Sequence, residues 1–453
     1  MKKIIIILFT LSFLFSARGD IISIEQISTR TLGNNQIYID NELSSTTTDQ
    51  FSLDPVQYGY WYYKITYETV DKDNNYHEAT GVLSFPRVDW PLTPNQAFPM
   101  ISYQHGTAVE RTSVSSQQND IWLLPAFLSG SGYVYIEPDY LGLGDSSGMH
   151  PYQIKEPYGT CVVDLLRAAK QYDLQNDDFM INEQLFLVGY SEGGYATMAA
   201  HQIIERDYPD EFLITASLPM AGAYSMSEIM VDVMLSFESY GEPFYFPYVL
   251  FSYVDSYPEI GTIDNYLKEE YLFLEDMFDG YHSSTAINNA MPSIPATIMI
   301  PDSVTAFQNN DNHPLKIALR ENDLWDWVPE SPMYIIHGEG DELVPHTNSE
   351  LAYNQFLANG AENVFLELLP ESYGGHQDVA PWALLGGFNF AQDYKIICEM
   401  GDSSLDGMID ILDIVKTIDF IFDGLYHPIS DLNNDNNINI FDITMLVEII
   451  IYQ

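Results

Sequence analysis

The chain has 453 residues, of which 17 are basic and 65 acidic, giving a formal charge of −48 at pH 7. A surface this acidic repels phosphate backbones and anionic headgroups, which excludes a general nucleic-acid binder and fits a saline or calcium-rich milieu. Apolar residues make up 46% of the sequence, enough to fill one large domain with a smaller one beside it.

Met1-Lys2-Lys3 followed by the apolar run 4–15 reads as the basic and apolar regions of a secretory signal peptide. Ala17 and Gly19 supply the small residues for cleavage after Gly19, so residues 1–19 are the expected leader. The run is too short for a membrane span. No other stretch reads as transmembrane, so an exported, soluble protein is expected.

Residues 61–69 alternate apolar and polar, Asp71 to Asn75 make a turn, and the chain returns through 78–85, which predicts a β-hairpin. Short apolar runs then alternate with helical stretches. Strands are expected at 100–104, 133–137, 185–190, 213–218, 333–337 and 364–369, and helices at 158–172, 195–205 and 349–358. That order predicts an α/β fold with a mainly parallel sheet covered by helices on both faces. Cys161 and Cys398, the two cysteines, give no disulfide framework, and both a pair and two free thiols stay open.

Gly189-Tyr190-Ser191-Glu192-Gly193-Gly194 follows the apolar run 185–188 and precedes a helix. A sharp strand–turn–helix of this kind pushes the hydroxyl of Ser191 out at the end of a sheet. A serine hydroxyl is a poor nucleophile until a base takes its proton. His376, in the loop after the run 364–369, is the candidate base. Asp341, in the loop after 333–337, is the candidate that holds the imidazole. The order Ser, Asp, His is that of α/β-hydrolases. The tetrahedral oxyanion then needs fixed donors. The amide of Glu192 is one, and the amide of Thr107 or Gly106, in the loop after the strand at 98–104, is the other; His105 reads as structural.

Residues 223–332 interrupt the pattern with a segment rich in Tyr, Phe, Met and Asp. It reads as a helical cap over the active site, with 245–251 offering apolar surface for an acyl chain. The tail, 400–453, reads as a separate all-α module. Asp402, Ser404, Asp406, Asp410 and Asp413 place oxygens at positions 1, 3, 5, 9 and 12 of a loop, with the carbonyl of Met408 at position 7. Twenty-nine residues on, Asp431, Asn433, Asp435, Asn439 and Asp442 repeat the spacing with Asn437 at position 7. Oxygens so spaced wrap a hard cation, so two Ca²⁺ ions are expected, with Gly407 and Asn436 making the tight turn at position 6. Catalysis itself needs no cofactor.

Residues 55–398 resemble the α/β-hydrolase superfamily, and within it the secretory lipases of the lipase A type and their bacterial esterase relatives. The resemblance rests on Tyr103-Gln104-His105-Gly106-Thr107, on Pro138-Asp139-Tyr140-Leu141-Gly142-Leu143-Gly144-Asp145 with His150-Pro151-Tyr152, and on the Ser191 elbow. It implies a helical cap before the acid and an ester substrate, either a lipid or a plant-polymer decoration. The glycine-rich loop after Asp139 then shapes the rim of the site. The tail resembles a type I dockerin, a paired calcium-loop module ending in Asp413 and Asp442. That resemblance implies a cohesin-like or other protein partner, and cell-surface association. Positions 10 and 11, Ile411-Leu412 and Ile440-Phe441, are apolar where that family often carries a polar pair.

The expectation is therefore a 20–399 hydrolase domain with a cap and a 400–453 dockerin-like domain, acting as a secreted serine carboxylic-ester hydrolase. Two other readings compete. A prolyl-oligopeptidase-type serine peptidase shares the fold and triad, but no propeller precedes the hydrolase part. A non-catalytic scaffold attached through the tail has no use for an intact Ser, Asp and His.

Overall fold

The computed structural model describes residues 17–45, 53–88, 96–176 and 178–452. The apolar run of the expected leader lies outside these residues. Ten strands form one sheet: β1 (Ile21–Arg30), β2 (Gly59–Val70), β3 (Tyr76–Arg87), β4 (Gln96–Gln104), β5 (Val134–Pro138), β6 (Met180–Tyr190), β7 (Ile214–Met220), β8 (Met333–Gly338), β9 (Val364–Leu369) and β10 (Cys398–Glu399). Their order is β1-β2-β3-β5-β4-β6-β7-β8-β9, with β10 pairing the start of β4. From β5 to β9 every pairing is parallel, whereas β1, β2 and β3 join antiparallel. This is the α/β-hydrolase arrangement.

The sheet is buried on both faces because its central strands are apolar at odd and even positions alike. In β6, Leu185 and Leu187 face the helix Lys155–Gln175, while Phe186 and Val188 face the helices Leu123–Gly130 and His376–Tyr394. β1, absent from the sequence expectation, adds an edge strand on β2. Cys161 and Cys398 are both buried and free.

Arg18, within the expected leader, is engaged by the fold. Its guanidinium donates to Asp164 at 3.1 Å and to the hydroxyl of Tyr208 at 2.8 Å, and the Gly19 amide donates to the Glu68 carbonyl at 2.8 Å. The Asp164 carboxylate is fully buried. Arg167 pairs with the same carboxylate at 2.7 Å, so a charge partner remains to it after cleavage at Gly19.

Between β7 and β8 the cap forms from helices Ile229–Met234, Tyr245–Ser256, Ser284–Asn289, Pro301–Asn309 and Pro314–Glu321, joined by short 3₁₀ turns. The tail carries two helices, Ile411–Asp423 and Ile440–Tyr452, each after an acidic loop. Ile429 of the tail is buried with Ala97, Met180 and Cys398, so the tail packs against the sheet. Among the described residues no helix is long and apolar enough to cross a membrane.

Candidate active site

Three loops at the carboxyl ends of parallel strands carry the expected residues: Ser191 after β6, Asp341 after β8 and His376 after β9. Ser191 sits at φ +64°, a left-handed conformation that serine adopts only under constraint. The turn is locked by contact. A Cβ at Gly193 would lie 1.9 Å from the Gln104 carbonyl oxygen, and one at Gly194 would lie 2.0 Å from that of Met220. Only glycine allows the elbow to press against the ends of β4 and β7.

His376 Nε2 lies 2.8 Å from Ser191 Oγ, and His376 Nδ1 lies 2.5 Å from Asp341 Oδ2. The amides of Leu343 and Val344 donate to Asp341 Oδ1 at 3.0 and 2.8 Å. Burial on its own pushes the Asp341 carboxyl up. Hydrogen bonding from His337 and His376 outweighs it and holds the group well below the ordinary carboxylate range. The backbone of His376 is pinned as well: its amide donates to Glu342 Oε2 at 3.0 Å, and its carbonyl accepts the Tyr190 hydroxyl at 2.6 Å. Ser, His and Asp so arranged can pass a proton from hydroxyl to imidazole while the carboxylate steadies the imidazolium.

The loop after β4 reaches the elbow. A Cβ at Gly106 would lie 3.7 Å from the carbonyl oxygen of Tyr190, the residue before the nucleophile. Thr107 Oγ1 pairs with the Tyr152 hydroxyl at 3.2 Å. His105 packs tilted against Tyr140, ring centroids 4.3 Å apart, with its Nε2 3.3 Å from the Asp139 carbonyl oxygen.

A narrow cavity of about 80 Å³ opens beside Ser191. The cap supplies most of its wall, including Met226, Met230, Met234, Phe246, Val249 and Leu250, with Leu315 and Leu319 from a later helix. Of the expected segment 245–251, Tyr245, Phe246, Val249 and Leu250 line the space. Tyr248 instead stacks on Tyr152 with centroids 4.3 Å apart.

Residues 104–381 match the family model described as secretory lipase, more than half of the chain. This chain belongs to the secretory lipase family. Among solved structures, this secretory lipase is similar to a protein of Legionella pneumophila described as a hydrolase, with 26% identity and a TM-score of 0.73 over 83% of this chain and 98% of that one. It shares its fold with the rice cell wall degrading esterase LipA of Xanthomonas oryzae: 24% identity, TM-score 0.70, 82% and 95% covered. The same holds for Candida antarctica lipase A in its closed state: 16% identity, TM-score 0.59, 84% and 82% covered. A comparison with curated proteins finds no match. The lipase is a carboxylic-ester hydrolase.

Two side chains at the site were not legible in the sequence. His337, at the end of β8, lies 3.2 Å from the same Asp341 oxygen that His376 contacts. Glu192 was expected only as an amide donor, yet its carboxylate is buried against His150 and Tyr158.

The family match ends before the tail. There the two loops repeat one hydrogen-bond pattern. Asp402 accepts the amides of Asp406 and Gly407 at 3.1 and 2.9 Å, and Asp431 those of Asp435 and Asn436 at 3.1 and 2.8 Å. Asp413 accepts from Ser404 and Asp410, and Asp442 from Asn433 and Asn439. Gly407 and Asn436 are both left-handed, at φ +85° and +61°. Among the described residues no three His, Cys, Asp or Glu side chains gather into a metal cluster. Any cation here would draw on carbonyl, hydroxyl and amide oxygens beside the carboxylates.

Proposed function

We propose that this lipase is a secreted serine hydrolase that cleaves carboxylic esters through an acyl-enzyme. The observation that carries the reading is the unbroken line Asp341–His376–Ser191 ending at an apolar cavity. Ser191 Oγ attacks the ester carbonyl while His376 Nε2 takes its proton, and the carbonyl oxygen becomes an oxyanion facing the amides of Glu192 and Thr107 or Gly106. His376 then returns the proton to the alkoxide, the alcohol leaves, and the acyl group stays on Ser191. Water, deprotonated by the same imidazole, releases the acid. The cavity wall of methionine and aliphatic side chains suits an acyl chain better than a peptide, whose amides need partners. Ser191→Ala tests this. Loss of the nucleophile costs on the order of 10⁶-fold in turnover, and more than a few per cent activity in a folded, uncontaminated variant overturns the assignment.

The tail is proposed as a dockerin-like module holding two Ca²⁺ ions. The identical hydrogen bonds and left-handed turns of its two loops support this, and oxygens of mixed kind suit calcium. Exposed Ile411, Leu412, Ile440 and Phe441 offer an apolar face to a protein partner. Export is proposed through the expected leader, cleaved after Gly19, in keeping with a family described as secretory.

A further inference from the structure

Asp341 is held by two imidazoles, and the mechanism uses one. His337 is fully buried. Its Nε2 lies 2.8 Å from the Val344 carbonyl oxygen and 3.2 Å from Asp341 Oδ2. Its Nδ1 lies 2.7 Å from the hydroxyl of Ser349, at the start of the helix Thr347–Asn359. A nitrogen facing two acceptors must carry a hydrogen, whereas a hydroxyl satisfies Nδ1 by donating to its lone pair. One neutral tautomer meets every contact: Nε2–H donates to Val344 and Asp341, and Ser349 O–H donates to Nδ1. Oδ2 of Asp341 therefore takes the hydrogen bond of His376 at 2.5 Å and faces the Nε2–H of His337 at 3.2 Å.

We propose that His337 is a positioning residue of this hydrolase, fixing the Asp341 carboxylate and taking up part of its charge so that His376 is less tightly held in its protonated form. The proposal rests on the triad reading above. Its physics is simple. A carboxylate that accepts an additional hydrogen bond is a weaker partner for an imidazolium. Remove that donor, and Oδ2 of Asp341 is left to His376, with the Leu343 and Val344 amides still on Oδ1. Protonated His376 is then better stabilised and persists to higher pH, where it cannot act as a base. Other groups face the pair from every neighbouring element: Glu342 in the same loop, Tyr190 from β6, Asp378 in the first turn of His376's helix, and Tyr240 and Tyr245 from the cap. None of these donates to Oδ2 in the described contacts. Their charges persist in a His337 variant, so they do not imitate its effect.

The test is the pH profile of kcat/KM for p-nitrophenyl butyrate, measured on the full chain. His337→Phe fills similar space without a donor, and His337→Gln keeps an N–H close to the place of Nε2. The acid limb of the Phe variant is expected to move to higher pH by about 0.5 to 1 unit, with the Gln variant tracking the wild type. A limb that stays in place in folded His337→Phe overturns the proposal, as does an equal shift in His337→Gln. Should His337→Phe not fold, Ser349→Ala is read instead. It keeps the imidazole but removes the hydroxyl that fixes its tautomer, so a smaller shift in the same direction supports the proposal and no shift overturns it. Failure of the triad reading looks different: Ser191→Ala keeps its activity whatever stands at 337.

Discussion

His150 Nε2 lies 2.8 Å from Glu192 Oε1, immediately behind the nucleophile, with both side chains essentially out of solvent. His150 Nδ1 lies 2.8 Å from the Leu141 carbonyl oxygen, so both ring nitrogens face acceptors. The pair therefore shares one proton more than a neutral imidazole and a free carboxylate hold. An imidazolium beside a carboxylate meets that demand. It also cancels a negative charge that would otherwise sit next to the developing oxyanion, since Glu192 follows Ser191 directly.

His150→Ala is thus expected to leave the Glu192 carboxylate buried and unpaired, with only the Tyr158 hydroxyl still donating at 2.8 Å. Breaking a buried pair this way costs about 3–5 kcal/mol. Adding Glu192→Gln to His150→Ala should recover part of that loss by removing the stranded charge. Urea unfolding of the single and double variants checks it. A His150→Ala loss under about 1 kcal/mol, or no recovery in the double variant, contradicts an ionic pair.

Val249 faces the cavity from the cap helix Tyr245–Ser256. An aspartate there brings an unpaired charge against an acyl chain that gains about 0.8 kcal/mol per buried methylene. Val249→Asp should lower kcat/KM for p-nitrophenyl octanoate about 10- to 100-fold more than for the acetate. Equal losses on both esters would place the acyl chain elsewhere.

Much of this geometry was legible in the sequence, and the misses have physical causes. β9 spans 364–369 as expected, because an apolar run ends at Pro370. The elbow was visible because a strand, Gly-x-Ser-x-Gly-Gly and a helix stand in series. The helix start was placed late, at 195, since Gly193 and Gly194 read locally as a turn. They serve the close approach to Gln104 and Met220 and lie inside the helix Glu192–Asp207. The helix His376–Tyr394 was hidden by Gly374, Gly375 and the internal Pro381. The edge strand β1 mixes polar and apolar residues, and only its pairing with β2 fixes it. His150 and Glu192 are 42 positions apart. Nothing in local periodicity announces a tertiary ion pair.

The tail makes a separate prediction. Each loop carries several acidic residues that a cation would draw together with carbonyl and amide oxygens, so binding energy would become ordering energy. Titrating the full chain with CaCl₂ by calorimetry should give two sites, the second weaker because Asn433 and Asn439 replace carboxylates. Asp413→Ala should abolish the first site and leave p-nitrophenyl ester hydrolysis unchanged. A stoichiometry of zero returns the tail to a purely structural role.

Asp173, near the end of the helix Lys155–Gln175, offers a stability test away from the site. Burial pushes its carboxyl up to about 7, opposed by a long hydrogen bond from the Ile181 amide at 3.4 Å. The sign follows from the direction of the shift. Between roughly pH 4 and 7 the folded protein holds a proton on Asp173 that the unfolded chain has released, so this group favours folding more as pH falls. Above 7 the buried carboxylate is charged and opposes folding. Asp173→Asn keeps the shape and removes the charge. It should therefore raise stability at pH 8 by about 1–2 kcal/mol, a figure reduced from about 1.4 kcal/mol per pH unit to allow for partial solvent contact. At pH 5 the native carboxyl is neutral and only the unfolded chain has lost its proton, so the gain should be less than half of that at pH 8. Thermal melts at the two pH values decide it: an equal gain at both means that asparagine improves packing, and no gain at pH 8 means that water reaches the carboxylate.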